Sequence, residues 1–124
     1  MKVTNKFILL LLLIYPLILM AETFKINGQE IVFHRDDSKA LTISLDCKHS
    51  DCLALANLEK LKSKKINQKI VFNSDSNPGA LICEKALAGE VVIGINTYGE
   101  NSFCRFSDGS MIDNSSLHYW SLKK

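Results

Sequence analysis

An uncharged apolar segment near the amino terminus sets the first constraint on how this chain folds. Phe7 to Met20 contains 14 residues without a charge and follows Lys2 and Lys6. Fourteen residues are fewer than the roughly 18 to 20 that a helix needs to span a bilayer. A basic start, a short apolar core and a small residue, Ala21, at its end are typical of a cleavable secretory signal. We therefore predict a signal peptide over residues 1–21 and a periplasmic or secreted mature protein; an uncleaved N-terminal anchor is the alternative.

The charge balance of the mature chain narrows the classes of partner. Removing residues 1–21 leaves 103 of the 124 residues, with 13 Lys and Arg against 13 Asp and Glu. A neutral chain is a poor candidate for nucleic acid, whose binding depends on neutralised phosphates, or for anionic membranes. About a hundred residues form one domain with a modest core. We expect an envelope protein as partner, no nucleic acid, and a mature form that does not span the membrane.

All four cysteines, Cys47, Cys52, Cys83 and Cys104, lie in the mature chain. An even number in an exported protein indicates disulfides, and four cysteines allow three connectivities. Local spacing favours Cys47–Cys52, which closes a short C-x4-C loop, and Cys83–Cys104, which joins a predicted helix to a predicted strand. In the chain-entropy model a bridge of the second size contributes about 3 kcal/mol. That is a large share of the roughly 5 to 15 kcal/mol that stabilises a domain.

The segment around the first cysteine pair also contains the residue types of a metal site. His49 and Asp51 lie between Cys47 and Cys52, and Asp46 precedes them. However, C-x4-C lies outside the tightest zinc patterns, and no second pair at ligand spacing follows. A C-x-x-C motif is absent, which disfavours a thioredoxin-like role. We therefore predict no metal and no cofactor.

Alternating apolar residues predict strands in the first part of the mature chain. Thr23–Ile26 and Glu30–Phe33 flank Asn27-Gly28, the strongest short signal for a β-hairpin, because both turn residues must accept a positive φ. Residues 40–45 alternate in the same way and predict a third strand that ends near the first cysteine.

A helix is predicted next, with Ser50 as its cap. Apolar residues then recur at helical spacing, at Ala54, Leu55, Leu58 and Leu61. The lysines near its end are best interpreted as a solvated face at the negative end of the helix dipole, with a binding patch as the alternative: Lys60, Lys62, Lys64 and Lys65. A short strand over Lys69–Phe72 follows.

The second part of the chain begins after a polar loop at residues 73–77, which divides the mature chain into segments 22–75 and 76–124. Asn77-Pro78 predicts a helix start, and Gly89 is expected to end that helix in a left-handed conformation. Two strands of a hairpin and a last short helix follow; their apolar or turn residues are Val91, Ile93, Ile95, Gly99, Phe103, Phe106, Leu117, Tyr119, Trp120 and Leu122.

The pattern as a whole predicts an α+β fold. A small antiparallel sheet of hairpins is expected to pack against two or three short helices, with the disulfides as staples. The pattern leaves open whether the two segments share one sheet.

The order of several motifs in the second segment resembles a known bacterial family. Asn77-Pro78 is followed by Cys83, a Gly at 89, the run Phe103–Ser110 and later Trp120. This order is similar to the haemolysin-like domain-of-unknown-function family (domain of unknown function 333), over roughly residues 76–122. Its members typically read N-P-A-S-x-x-C, then a Gly-rich strand, G-x-C-x-F-x-D-G and a Trp-containing end.

The resemblance bears on the cysteine pairing. Cys83 and Cys104 match the two central family cysteines, whereas Ile112 and the Lys123-Lys124 end stand where two others would be. Loss of both is expected if they pair with each other, which supports Cys83–Cys104 as the retained bridge. The family label implies haemolysis without establishing it, and it supplies no catalytic residues.

No motif in the chain indicates catalysis. A nucleophile elbow, a zinc-protease helix and a phosphate loop are all absent. Ser110, His118 and Asp108 could form a triad, but triads are defined by geometry and scattered Ser, His and Asp are common. We predict a protein without catalytic residues.

The favoured function is therefore a small exported binding module, in one version an inhibitor of envelope enzymes. Its expected contact residues are Tyr98 and Asn101, at the tip of the predicted hairpin over 96–101, and Trp120, for which packing of the last helix on the sheet is the alternative. A membrane-active toxin, which the family label implies, and a small hydrolase with an unrecognised site are the other two hypotheses.

Overall fold

The computed structural model describes residues 21–48, 51–63 and 77–123. Several predictions lie outside these ranges and concern the signal segment before Ala21, the possible ligand His49, the Ser50 cap, Lys64 and Lys65, the Lys69–Phe72 strand and most of the 73–77 loop.

Six antiparallel strands form a closed barrel in the order β1-β2-β3-β6-β5-β4. The strands are β1 Ala21–Ile26, β2 Gln29–Asp36, β3 Leu41–Ser44, β4 Glu90–Asn96, β5 Gly99–Arg105 and β6 Met111–Asp113. The predicted α+β class is confirmed, but the expected sheet of simple hairpins is corrected to a barrel. Closure pairs the edges that two separate three-stranded sheets would leave exposed.

Closure also answers the question that the sequence left open. β1, β2 and β3 lie before the predicted boundary at residues 75–76, and β4, β5 and β6 lie after it. Ile43 of β3 pairs with Ile112 of β6, and Lys25 of β1 pairs with Ile95 of β4. The two segments therefore share one sheet.

Three helices of the described residues lie outside the barrel. They are α1 Leu53–Ser63, α2 Pro78–Leu81, which continues as a π-helical turn over Ile82–Ala86, and α3 Asn114–Ser121. Two 3-10 turns, Asp37–Lys39 and Leu45–Lys48, flank β3. The Asn77 side chain accepts a hydrogen bond from the Gly79 backbone N–H at 2.9 Å, which confirms the predicted helix start.

The first hairpin is confirmed, with its turn at the predicted residues. Asn27 and Gly28 have φ values of 51° and 81° between β1 and β2. Both values lie in the left-handed region that this type of turn requires.

Aromatic side chains fill the barrel interior. The Phe33 and Phe103 rings stack with centroids 4.3 Å apart, and Phe24 meets Phe103 edge-on at 5.0 Å. Ile26, Val92 and Met111 complete this cluster. A Cβ on Gly94 would lie 2.7 Å from the Phe103 ring, so a glycine in the middle of β4 gives that ring its space.

A second hydrophobic core lies between the barrel wall and the helices. Ile43, Cys104 and Ile112 point outward from three neighbouring strands. Helical residues cover them and are Ala54, Leu58, Leu61, Ile82, Cys83, Leu117 and Trp120. The predicted spacing of apolar residues along α1 is thus explained by burial of one face.

The two disulfides that local spacing favoured are present, Cys47–Cys52 and Cys83–Cys104. The second joins the π-helical turn to β5. Its two cysteines are fully buried. It therefore holds α2 against the barrel from inside the outer core.

The end of α2 differs from the prediction. Ala88, with a φ of 54°, adopts the left-handed conformation that was expected of Gly89. Gly89 is needed for a different reason, because a Cβ there would overlap the sulfur of Cys104 and lie 2.9 Å from that of Cys83. Close approach to the disulfide, and not a positive φ, explains the glycine.

We expect Gly89→Ala to lower the free energy of unfolding by about 1–3 kcal/mol, the usual cost of overpacking a core. Ala88→Gly is the matched variant. It should raise stability by up to about 1 kcal/mol, because alanine is strained in the left-handed region. Urea unfolding of the oxidised proteins measures both; equal midpoints for Gly89→Ala and the wild type would contradict the close approach.

Candidate functional site

Polar residues line one end of the barrel. Side chains alternate along each strand, so the inward rows that carry the phenylalanines continue two residues further to polar groups. Glu22 lies two positions before Phe24, Arg35 lies two positions after Phe33, and Asn101 lies two positions before Phe103. Antiparallel pairing brings these positions to the same end, together with Thr42 and Asp113. We call Glu22, Arg35, Thr42, Asn101 and Asp113 the barrel mouth.

Arg35 is the only cation of the barrel mouth, and it is held by two carboxylates. Its Nη1 donates to Glu22 Oε1 at 2.8 Å, and its Nε donates to Asp37 Oδ1 at 2.7 Å. These hydrogen bonds, the one to Asp37 being the larger contribution, raise the pKa of Arg35 above its usual value. Pairs this exposed contribute little stability, about 0–1 kcal/mol each. Their effect is to fix the guanidinium while three of its five N–H donors stay available.

Asp113 connects the mouth to the helix side of the molecule. One carboxylate oxygen accepts hydrogen bonds from the Ser115 backbone N–H at 2.8 Å and the Ser115 hydroxyl at 2.7 Å, which caps α3. The other accepts from the Asn101 side chain at 3.4 Å. Asp113 is buried, and its hydrogen bonds fix the positions of the Asn101 side chain and of the start of α3 at the mouth.

Tyr98 projects from the rim of the mouth, at the tip of the β4–β5 hairpin. Its side chain is 96% exposed, the highest value among the large hydrophobic residues that the structure describes. The Tyr98 backbone N–H donates to the Asn96 side chain at 2.9 Å, and Gly99 follows with a φ of 139°. The turn is therefore fixed although its tyrosine contacts little of the protein.

Two clefts meet at the mouth. One, of about 500 Å³, lies between the hairpin tip and Arg35, and the other, of about 440 Å³, extends from Arg35 towards α3 and Tyr119. Glu22, Arg35 and Asn101 line both. These volumes are typical of ligand pockets, but such pockets are mostly apolar, whereas charged and polar side chains line these two.

The structure separates the three contact residues that were predicted from the sequence. Tyr98 and Asn101 lie together at the mouth. Trp120 is 7% exposed in the outer core, where its indole N–H donates to the Lys39 carbonyl at 3.0 Å. Lys62 and Lys123 lie over its ring, at 4.6 Å and 4.7 Å from the ring centroid. Trp120 thus packs the last helix on the sheet.

Ser110 and Asp108 lie next to each other, but they cap a helix. The Leu53 backbone N–H donates to Asp108 at 2.9 Å, and the Ala54 backbone N–H donates to the Ser110 hydroxyl at 3.0 Å. That hydroxyl donates to Asp108 at 2.6 Å. No hydrogen bond in the described ranges joins His118 to either residue. The start of α1 is therefore capped by a turn more than fifty residues further along the chain.

The sequence analysis missed Glu22, Arg35 and Asp113. A signal was present, because each lies two positions from a residue of the barrel interior: Phe24, Phe33 and Met111. Extending the period-two pattern past its apolar residues would have placed these polar groups on the inward rows.

The described residues contain no group of three or more His, Cys, Asp and Glu side chains arranged to hold a metal ion. The Cys47 and Cys52 sulfurs are bonded to each other.

Comparison with known proteins adds no relative. The chain matches no family model, no curated protein and no solved structure. The resemblance to the haemolysin-like family stays a prediction from the motifs of residues 76–122. The function of the mouth must accordingly be argued from its own residues.

We expect Asp108→Asn to destabilise the protein at neutral pH and not in acid. Hydrogen bonds from the Leu53 N–H and then from Ser110 lower the pKa of Asp108, so its charged form favours folding. That stabilisation is present above the unfolded-state pKa of about 3.9 and is lost as the pH falls through the lower folded value. The variant should lose about 0.5–2 kcal/mol at pH 7, the usual value of a helix cap.

Urea unfolding of the variant and the wild type at pH 7 and at about pH 2 measures this difference. Glu84→Gln, which changes an exposed carboxylate on the π-helical turn, is the control and should stay within about 0.5 kcal/mol of the wild type. A gap between Asp108→Asn and the wild type that is equal at both pH values would contradict the charged cap.

Proposed function

We propose that this chain is an exported, non-enzymatic binding module that engages a protein of the bacterial envelope through the barrel mouth and Tyr98. The single observation that carries the proposal is the position of Tyr98. A fully exposed tyrosine stands on a fixed hairpin turn, directly beside a polar cleft with an immobilised arginine. Tyrosine and arginine are the residue types that most often dominate the energy of protein interfaces.

The fixed geometry of both groups supports binding to a protein. The Asn96 side chain holds the turn of Tyr98, and Glu22 and Asp37 hold the guanidinium of Arg35. Groups that are already ordered lose less conformational entropy when they bind. An exposed side chain on a fixed turn is also what an inhibitor needs to enter the cleft of an enzyme. An inhibitor of an envelope enzyme is therefore the version of the proposal that we favour.

The charge around the mouth indicates the character of the partner. Glu22, Asp37, Glu100 and Asp113 surround the single cation, Arg35. This excess of carboxylates attracts a basic surface and repels an acidic one. We propose that the partner presents lysine or arginine side chains towards the mouth.

The two other hypotheses lack a specific observation in their favour. None of the described helices is long and apolar enough to cross a membrane, and dye release from liposomes by the purified protein would be the direct test of a membrane-active toxin. For a hydrolase, the hydroxyl of Ser110 and the carboxylate of Asp108 are already engaged by the start of α1.

We expect Tyr98→Ala to abolish capture of the partner from an envelope extract, with at least about a tenfold loss of affinity, as for a central interface residue. The fold should be unaffected, because Tyr98 contacts little of the protein. Leu122→Ala, which removes an exposed apolar side chain at the end of α3, is the matched control and should bind like the wild type. If both variants retained the captured protein equally, the proposed binding surface would be wrong.

Reversing one charge at the rim of the barrel mouth tests whether the partner presents a basic surface. Glu100→Lys should lower the association rate for the captured protein, by about tenfold at low ionic strength. The effect should shrink as salt screens the charges. Glu84→Lys makes the same change of net charge away from the mouth and is the control. Equal rates for the two variants would contradict an electrostatic role of the mouth.

A further inference from the structure

The two disulfides lie in very different surroundings. Cys83 and Cys104 are both fully buried, with Gly89 and Phe106 packed against their sulfurs. Cys52, in contrast, is partly exposed, and both cysteines of its bridge line a surface cleft of about 520 Å³. Its partner Cys47 is 1% exposed. Solvent and solutes therefore reach one sulfur of one bridge far more easily than any other.

Exchange of a disulfide requires a thiolate to reach one of its sulfur atoms. We propose that Cys47–Cys52 is an exchangeable bridge, which external thiols open by attack on Cys52 Sγ, whereas Cys83–Cys104 stays closed in the folded protein. The proposal is independent of the barrel mouth, because the cleft at Cys52 lies at the opposite end of the barrel.

Exchange forms one bond to sulfur for each bond that it breaks. The external thiolate forms a bond to Cys52 Sγ, and the bond between the two cysteines breaks, leaving its electron pair on Cys47 Sγ, which takes up a proton from solvent. When the reagent is a dithiol, its second thiolate attacks the reagent's own sulfur in this mixed disulfide and releases Cys52. The dithiol is oxidised to a disulfide, and the protein bridge is reduced to two thiols.

Each released sulfur has a neighbour that can stabilise it. The Ser44 hydroxyl, which donates to the Met111 carbonyl at 3.2 Å, lies 3.7 Å from Cys47 Sγ, the sulfur that leaves first, and can turn to donate to it once it is a thiolate. The Leu55 backbone N–H donates to Cys52 Sγ at 3.4 Å, in the first turn of the eleven-residue helix α1. Hydrogen bonds from such donors favour the thiolate over the thiol.

Carboxylates around the cleft determine which thiols react. Glu30, Asp51 and Asp108 line it, and the structure places no cation among the lining residues that it describes. A thiolate that carries a second anionic group is repelled by this field, whereas an ammonium group on the reagent offsets the charge of its thiolate. We therefore expect the bridge to prefer cationic and neutral thiols.

Opening this bridge should leave the fold intact. The start of α1 stays tied to the barrel by two hydrogen bonds, from the Leu53 N–H to Asp108 and from the Ala54 N–H to Ser110. The Cys47→Ser/Cys52→Ser double variant should therefore fold with the barrel unchanged. The Cys83→Ser/Cys104→Ser double variant should be far less stable, because that bridge lies inside the outer core.

The test compares two small thiols on the folded oxidised protein, without denaturant and at low ionic strength. Cysteamine, whose thiolate carries an ammonium group, and 2-mercaptoethanesulfonate, whose thiolate also carries a sulfonate, are added at equal thiolate concentration; the reaction is quenched with N-ethylmaleimide and the peptides are mapped by mass spectrometry. We expect the mixed disulfide on Cys52, the maleimide on Cys47 and no label on the other two cysteines. Cysteamine should react at least about threefold faster, and added salt should remove the difference.

Three results would overturn the proposal. The first is an adduct on Cys47, and the second is opening of both bridges at one rate, which would report global unfolding. The third is a folded protein that no thiol modifies. Equal rates for the two thiols would overturn the preference for cations, and Asp51→Asn combined with Glu30→Gln, which removes two carboxylates of the cleft without touching the cap of α1, should reduce that preference.

Discussion

The stack of Phe33 on Phe103 is the contact on which the rest of the structure depends. One ring comes from β2 and the other from β5, strands that lie far apart in the sequence, and their centroids are 4.3 Å apart inside the barrel. Burial of these rings is possible only when β3 meets β6 and β1 meets β4, so packing of the interior and closure of the sheet are one event. Gly94 is part of the same constraint, because any side chain there would displace Phe103.

The polar mouth follows from this interior by geometry. The inward-facing positions continue past the last apolar residue, because side chains alternate between the two faces along the whole of each strand. Glu22, Arg35 and Asn101 therefore meet at one end although they are far apart in the sequence. The same register brings the tip of the β4–β5 hairpin, with the exposed Tyr98, to the rim of the same cleft. The proposed binding surface is thus a consequence of barrel closure and not a separate feature.

A turn in the second half of the chain stabilises a helix that is distant from it in the sequence. Asp108 and Ser110 cap α1, and the neighbouring cleft contains the Cys47–Cys52 bridge. Since α1 is held by both the cap and the bridge, the bridge can open without release of the helix. The Cys83–Cys104 bridge has no such substitute, because it forms part of the outer core. Burial, rather than chemistry, distinguishes the two disulfides.

The amino-acid sequence by itself determined the features that depend on neighbouring residues. The Asn27-Gly28 hairpin, the Asn77 cap, the apolar face of α1 and the α+β class all follow from local conformational preferences and periodicity, and local spacing already favoured the two bridges that the structure contains. Only the tertiary structure decided barrel closure, the left-handed Ala88, the burial of Trp120 and the pairing of Arg35 with Glu22. These features join residues that are distant in the chain or depend on what packs against a side chain, and no local pattern contains that information.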